Sequence, residues 1–227
     1  MPAVNGERRT YRSTVRDESA RRTRRAIVEA ARTLFLDRGY VAASLREVAE
    51  IAGVARPTVA AAFGSKPALL KQVLDEALAG DDEPVPVARR PWFAPVWQAT
   101  TPRAALTAYA AVCTLLGHRA ARIFEVVHRA ADETTEIADL WDTLLRNRRA
   151  GAEMVVRRAI EIGPIRAGLA LERAIDAIWI LNDPAHYGNL VLARHWPEPD
   201  YERWLAEQMC AALLADGPAS EEVDSRP

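Results

Sequence analysis

Apolar residues recur along this chain at helical spacing, and no stretch alternates apolar with polar positions as a half-buried strand would. Ile27, Ala30, Ala31, Leu34 and Phe35 make the first stripe. Leu45, Val48, Ala49 and Ala52 make a second, two turns long, and Val59 with Phe63 a third. A helix is predicted from Pro67 to about Ala79, with Leu70, Val73, Leu74, Ala77 and Leu78 on one face. Five prolines between Asp81 and Pro102 then forbid one long helix. Beyond them the spacing predicts helices over about 103–116, 119–131, 134–162, 168–182 and 199–215, with a short one near 185–194. The stripe from Ile137 through Leu140, Trp141, Leu144 and Leu145 to Ile160 is the clearest, and Gly163-Pro164 stops it. Pro184 closes the 168–182 helix, and Pro199 suits the first turn of the last one. The expected fold is all-α.

The local chemistry is most specific between Ser44 and Lys66. Ser44 with Glu47 three residues on has the form of a capping box, in which the serine oxygen takes the Glu47 amide and the carboxylate reaches back to the Ser44 amide. Gly53 supplies the left-handed residue that ends this helix. A second short helix follows to Phe63, with Arg56, Pro57 and Thr58 projecting outward near its start. Two short helices about a glycine turn can lay the second in a DNA major groove while the first crosses the backbone.

The context on both sides makes the pattern specific. Ala30-Ala31, Leu34-Phe35, Gly39-Tyr40, Ser44, Val48-Ala49, Ala52-Gly53-Val54, Thr58, Phe63, Ser65-Lys66 and Leu69-Leu70 together resemble the N-terminal domain of the TetR family of bacterial transcriptional regulators. The resemblance runs from Thr23 to Val73. It implies an N-terminal three-helix helix-turn-helix domain and a larger C-terminal helical domain for ligand binding and dimerisation. It further implies a homodimeric repressor that binds a pseudo-palindromic double-stranded DNA operator and responds to a small-molecule effector. Residues 1–20 are then a basic arm without structure of its own, 21–75 the DNA-binding domain, 76–215 the ligand-binding and dimerisation domain, and 216–227 a disordered tail. The DNA-binding residues expected are Ser44, Arg46, Arg56, Pro57, Thr58, Lys66 and Arg24. Two features depart from the family pattern. Ala60 and Ala62 stand where aromatic phosphate contacts are usual, and Ala55 replaces the usual serine or threonine cap. They favour one alternative, a helical small-molecule binder or scaffold whose head no longer reads DNA.

Charge sharpens the division. The net charge of −1 hides 14 Lys/Arg against 7 Asp/Glu in residues 1–71, so the first part faces a polyanion and the remainder is acidic. Eight arginines precede residue 26 and offer phosphate contacts irrespective of sequence. Cys113 and Cys210 match no metal or redox spacing and read as core thiols of a reducing compartment. The longest mostly apolar run, Ala104 to Leu116, is short of a membrane span. The arginine-rich start has no apolar stretch behind it, so it is no secretory signal. A cytoplasmic protein that does not meet the membrane is expected.

No catalytic constellation emerges. There is no glycine-rich phosphate loop, no His-Glu-x-x-His and no serine elbow, and His118, His128, His186 and His195 are scattered. The chain is read as a non-enzyme without metal or cofactor. Aromatic residues on the apolar stripes of the second part suit either a core or an apolar ligand cavity with a few polar groups. Trp97, Tyr109, His128, Trp141 and Trp179 are the expected pocket lining.

Overall fold

The computed structural model describes residues 5–215, with side-chain surroundings from residue 18. The tail at 216–227 and the first four residues of the arm lie outside the described residues. Every regular element described is helical: ten α-helices, two 3₁₀ turns, one π-helical turn and no strand. The chain divides into two compact units, one of residues up to 77 with 122–141, the other of 78–121 with residues from 142 onward.

The first unit opens on α1, Asn5–Ala42, broken at Gly39 (φ 77°, ψ 172°). The helix thus begins within the span 1–20 expected as an arm without structure of its own. Residues 7–38 contain neither glycine nor proline, so nothing in the backbone stops the helix from continuing into the arginine-rich stretch. α2 (Leu45–Ala52), α3 (Arg56–Phe63) and α4 (Lys66–Ala79) follow. α2 packs against α1 and α3. Ile27, Ala31, Leu34, Phe35, Val48, Val59, Leu69, Leu70, Val73 and Leu74 are buried, so each predicted apolar stripe faces inward. The unit also holds Phe124 and Trp141, whose rings meet edge to face at 5.9 Å.

In the second unit the proline-rich stretch forms two 3₁₀ turns, Val87–Arg89 and Pro91–Phe93, then α5, Ala94–Gln98. The buried Arg90 guanidinium ties this stretch together: it donates to the carbonyls of Val85 (3.0 Å) and Glu83 (2.8 Å) and pairs with Asp81. α6 runs unbroken from Pro102 to Arg129 where two helices were predicted. Gly117, which lies between the two predicted spans, serves a close approach. A Cβ at this position would lie 2.6 Å from Cγ of Tyr187, so the glycine makes room for that ring. α7 (Thr135–Ile162), α8 (Leu171–Leu181), α9 (Pro184–Tyr187), a π-helical turn (Gly188–Ala193) and α10 (Glu198–Leu213) complete the chain. Phe93, Val96, Leu106, Tyr109, Val155, Val156, Ile175, Ile178, Tyr201, Leu205 and Met209 belong to its apolar core, and α8 packs on α10. Both cysteines are free. Burial pushes the Cys113 thiol up to about 12, so it stays protonated and inert.

Candidate nucleic-acid interface

Local hydrogen bonds set the geometry of α2 and α3. Ser44 has extended dihedrals (φ −116°, ψ 148°), and its Oγ accepts the Glu47 N–H at 3.2 Å. The Glu47 carboxylate accepts the Ser44 N–H at 3.1 Å and the Ser44 hydroxyl at 2.6 Å, which completes the capping box. Arg38 adds an ion pair at 2.7 Å. These Ser44 bonds, with Arg38 behind them, hold the Glu47 carboxyl below its ordinary range. At the other end Gly53 is left-handed (φ 67°, ψ 31°). Its N–H reaches the Glu50 carbonyl at 3.2 Å, and the Val54 N–H reaches Ala49 at 3.0 Å, the Schellman closure that turns the chain into α3.

α3 starts without a side-chain cap, at Ala55, and carries Pro57 in its first turn. Val59 is fully buried and fixes the helix to the core. Arg56, Pro57, Ala60 and Ala61 are exposed, and Thr58 is half-buried. Arg56 makes no ion pair among the described residues, whereas Arg46, also exposed, lies 3.8 Å from Glu50. After Gly64 (φ 74°), Ser65 Oγ accepts the Ala68 N–H at 3.2 Å and caps α4.

Two basic residues of the expected site are engaged by the protein. Arg24 donates to the Ala62 carbonyl and to Gln72 Oε1, each at 2.9 Å, and its guanidinium lies 4.2 Å from the Phe63 ring centroid. It therefore clamps the end of α3 to α4. Lys66 Nζ lies 4.2 Å from the Tyr40 ring centroid and donates to the Val41 carbonyl at 3.3 Å. Partial burial lowers the Lys66 pKa, against the opposing pull of Glu133 and Glu47. The Tyr40 phenol is raised by burial first, then by Glu136 and Glu133.

The residues expected to line a pocket fall in both units. Trp97, Tyr109 and Trp179 lie in the second. Trp97 donates its indole N–H to the Ala88 carbonyl at 2.9 Å, and Phe93 stands between its ring (5.3 Å) and that of Tyr109 (6.2 Å). The Tyr109 hydroxyl accepts from Asn182 Nδ2 at 3.0 Å, and burial raises its pKa. Arg148 completes this network: it pairs with Asp183 at 2.9 Å and donates to Asn182 Oδ1 at 3.2 Å and to the Trp179 carbonyl at 3.0 Å. Trp179 Nε1 is buried with no hydrogen-bond partner among the described residues. His128 and Trp141 lie in the first unit and stack on each other at 4.5 Å. A groove of about 580 Å³, lined by Arg103, Thr107, Glu198, Glu202, Arg203 and Cys210 among others, holds none of the five. Arg148, Asn182 and Asp183 escaped the sequence reading because their partners are about thirty or more residues away. One signal was available: Arg148 stands four residues from both Leu144 and Ala152, on the buried stripe of α7.

Residues 27–73 match the sequence profile of the bacterial regulatory proteins of the tetR family. The head belongs to the tetR family. The match spans α2, α3 and the capping elements just described. No curated protein matches the chain. Among solved structures, SmeT in complex with triclosan is 18% identical over 90% of this chain and 98% of its own, with a TM-score of 0.67. NalD of Pseudomonas aeruginosa, a secondary repressor of the MexAB-OprM multidrug efflux pump, is 21% identical over 88% and 100%, at 0.64. A protein from Saccharomonospora viridis in complex with choline is 19% identical over 85% and 98%, at 0.65. At these identities the likeness is one of fold, and it extends past the tetR head over the larger helical part. Among the described residues no helix is long and apolar enough to cross a membrane.

Proposed function

We propose that this tetR-family chain is a cytoplasmic, homodimeric repressor that binds a pseudo-palindromic operator through α3 and releases it when a small organic effector occupies the second unit. The observation that carries the DNA part is the exposed stripe of α3, led by an Arg56 without an ion-pair partner and held at a fixed angle by the capping box and the Gly53 turn. Arg56 and Thr58 face base edges. Arg46, Pro57 and Lys66 meet the backbone at the starts of α2, α3 and α4, while Ser44, whose N–H and hydroxyl both donate to Glu47, acts by capping α2. Arg24 acts through the protein, by holding α3 to α4. Residues 21–75 form the DNA-binding part and 76–215 the effector-binding and dimerisation part.

The effector site is assigned to the surroundings of Trp97, Tyr109 and Trp179, where the unpaired indole N–H of Trp179 is a donor for a bound molecule. The repressor role of NalD, and the triclosan and choline bound by SmeT and the S. viridis protein, support a repressor with an organic effector.

The test is binding of the full chain to duplexes selected from a random pool, as a function of salt. The expected result is specific binding that weakens with salt as phosphate contacts are screened. Arg56→Ala should relax preference at one base position by about 1–3 kcal/mol, and Lys66→Ala should weaken all duplexes alike. If Arg56→Ala reduces binding to selected and random duplexes equally, Arg56 is a phosphate contact and the assignment fails. A chain that shifts no duplex at low salt would be the scaffold of the alternative reading.

A further inference from the structure

Beyond Arg56 and Thr58 in its first turn, the outward face of α3 bears no hydrogen-bonding side chain. Arg56 and Ala60 lie one turn apart, as do Pro57 and Ala61, so the four exposed side chains form one stripe. Past the Arg56 guanidinium that stripe offers two methyl groups and a pyrrolidine ring. The backbone adds little, since Pro57 has no N–H, the Thr58 N–H is bonded to the Ala55 carbonyl at 2.9 Å, and Ala55 has no polar side chain. A helix that presents only carbon over its second turn cannot discriminate base pairs there by hydrogen bonds. The major-groove edge of one base does carry an apolar mark, the C5-methyl of thymine, and alanine is among the side chains that contact it.

Resting on the DNA-binding reading above, we infer that Ala60 and Ala61 read thymine methyl groups, so that each operator half-site carries thymines opposite the second turn of α3, next to the base pair contacted by Arg56. Specificity at these positions comes from methyl-to-methyl burial. The same alanines let the helix backbone lie close to the groove floor.

The experiment uses the full chain and the duplexes it selects, resynthesised with each thymine replaced singly by uracil, which removes only the methyl group. Loss of one buried methyl corresponds to about a fourfold rise in Kd. The expected result is a rise of that size at one or two thymines in each half-site and no change elsewhere. At those positions a 5-methylcytosine·guanine pair should recover most of the affinity that a cytosine·guanine pair loses. The uracil effect should also disappear in Ala60→Gly or Ala61→Gly, compared at a temperature where each variant is folded. Specific binding that ignores uracil at every position would overturn the inference, leaving DNA shape as the source of selectivity. Equal binding to selected and random duplexes would remove the DNA-binding reading, and the inference with it.

Discussion

At the scale of single residues, Ser44 and Glu47 show how much local chemistry can carry. The Glu47 carboxyl lies below its ordinary range because the Ser44 hydroxyl and N–H donate to it, with Arg38 beside them. A carboxyl lowered by folding adds stability above its ordinary pKa, and that stability is lost as pH falls through the lowered value. Ser44→Ala removes the N-cap acceptor of α2 and should cost about 1 kcal/mol near neutrality. For a chain of this length that corresponds to a Tm lowered by about 2–4 °C. The gap from wild type should narrow in thermal melts as the pH is taken down from neutrality through the lowered Glu47 value. A gap that stays constant over that range would show that the Glu47 half of the box contributes nothing. Lys66 is the contrasting case. It was readable as a basic residue at a helix start, but its seat on Tyr40, 26 positions upstream, was not, because no spacing rule links the two.

At the scale of elements, Gly117 decides the shape of α6. Helix propensity alone favours a break or at least a weak point there, since glycine costs about 1 kcal/mol relative to alanine. The Tyr187 ring packed on that surface reverses the argument. Gly117→Ala should destabilise the chain, because overpacking costs about 1–3 kcal/mol and exceeds the propensity gain. Gly188 provides the control: it is helical (φ −54°, ψ −46°) and a Cβ there meets nothing within 4 Å, so Gly188→Ala should leave Tm unchanged or raise it. A Gly117→Ala variant that melts no lower than wild type would refute the packing account of the unbroken helix.

At the scale of the whole molecule, operator recognition through two heads needs a dimer whose recognition helices match half-sites roughly 34–36 Å apart. The second unit leaves large apolar side chains in water near the end of α8, on the π-helical turn and just after it: Ile180 is 56% exposed, Leu192 43% and Trp196 37%. A two-fold pairing that covers them would account for that exposure. Sedimentation of the wild type at micromolar concentration is expected to show a dimer, and Ile180→Asp with Leu192→Asp should give a folded monomer with much weaker operator binding. A double variant that remains dimeric would place the interface elsewhere.

Spacing and residue type encode the all-α class, the helix-turn-helix and its caps directly, because these rest on contacts within four or five residues. Ser44, Glu47, Gly53 and the apolar stripes of α1 to α4 are of this kind. Tertiary structure alone decided that Arg24 clamps α3 to α4, that Gly117 yields to Tyr187, and that Arg148 ties Asn182 and Asp183 to the main chain at Trp179. Each of these joins residues between 31 and 70 positions apart, where pairing depends on how the helices pack and where a polar residue on an apolar stripe is the only mark the chain itself bears.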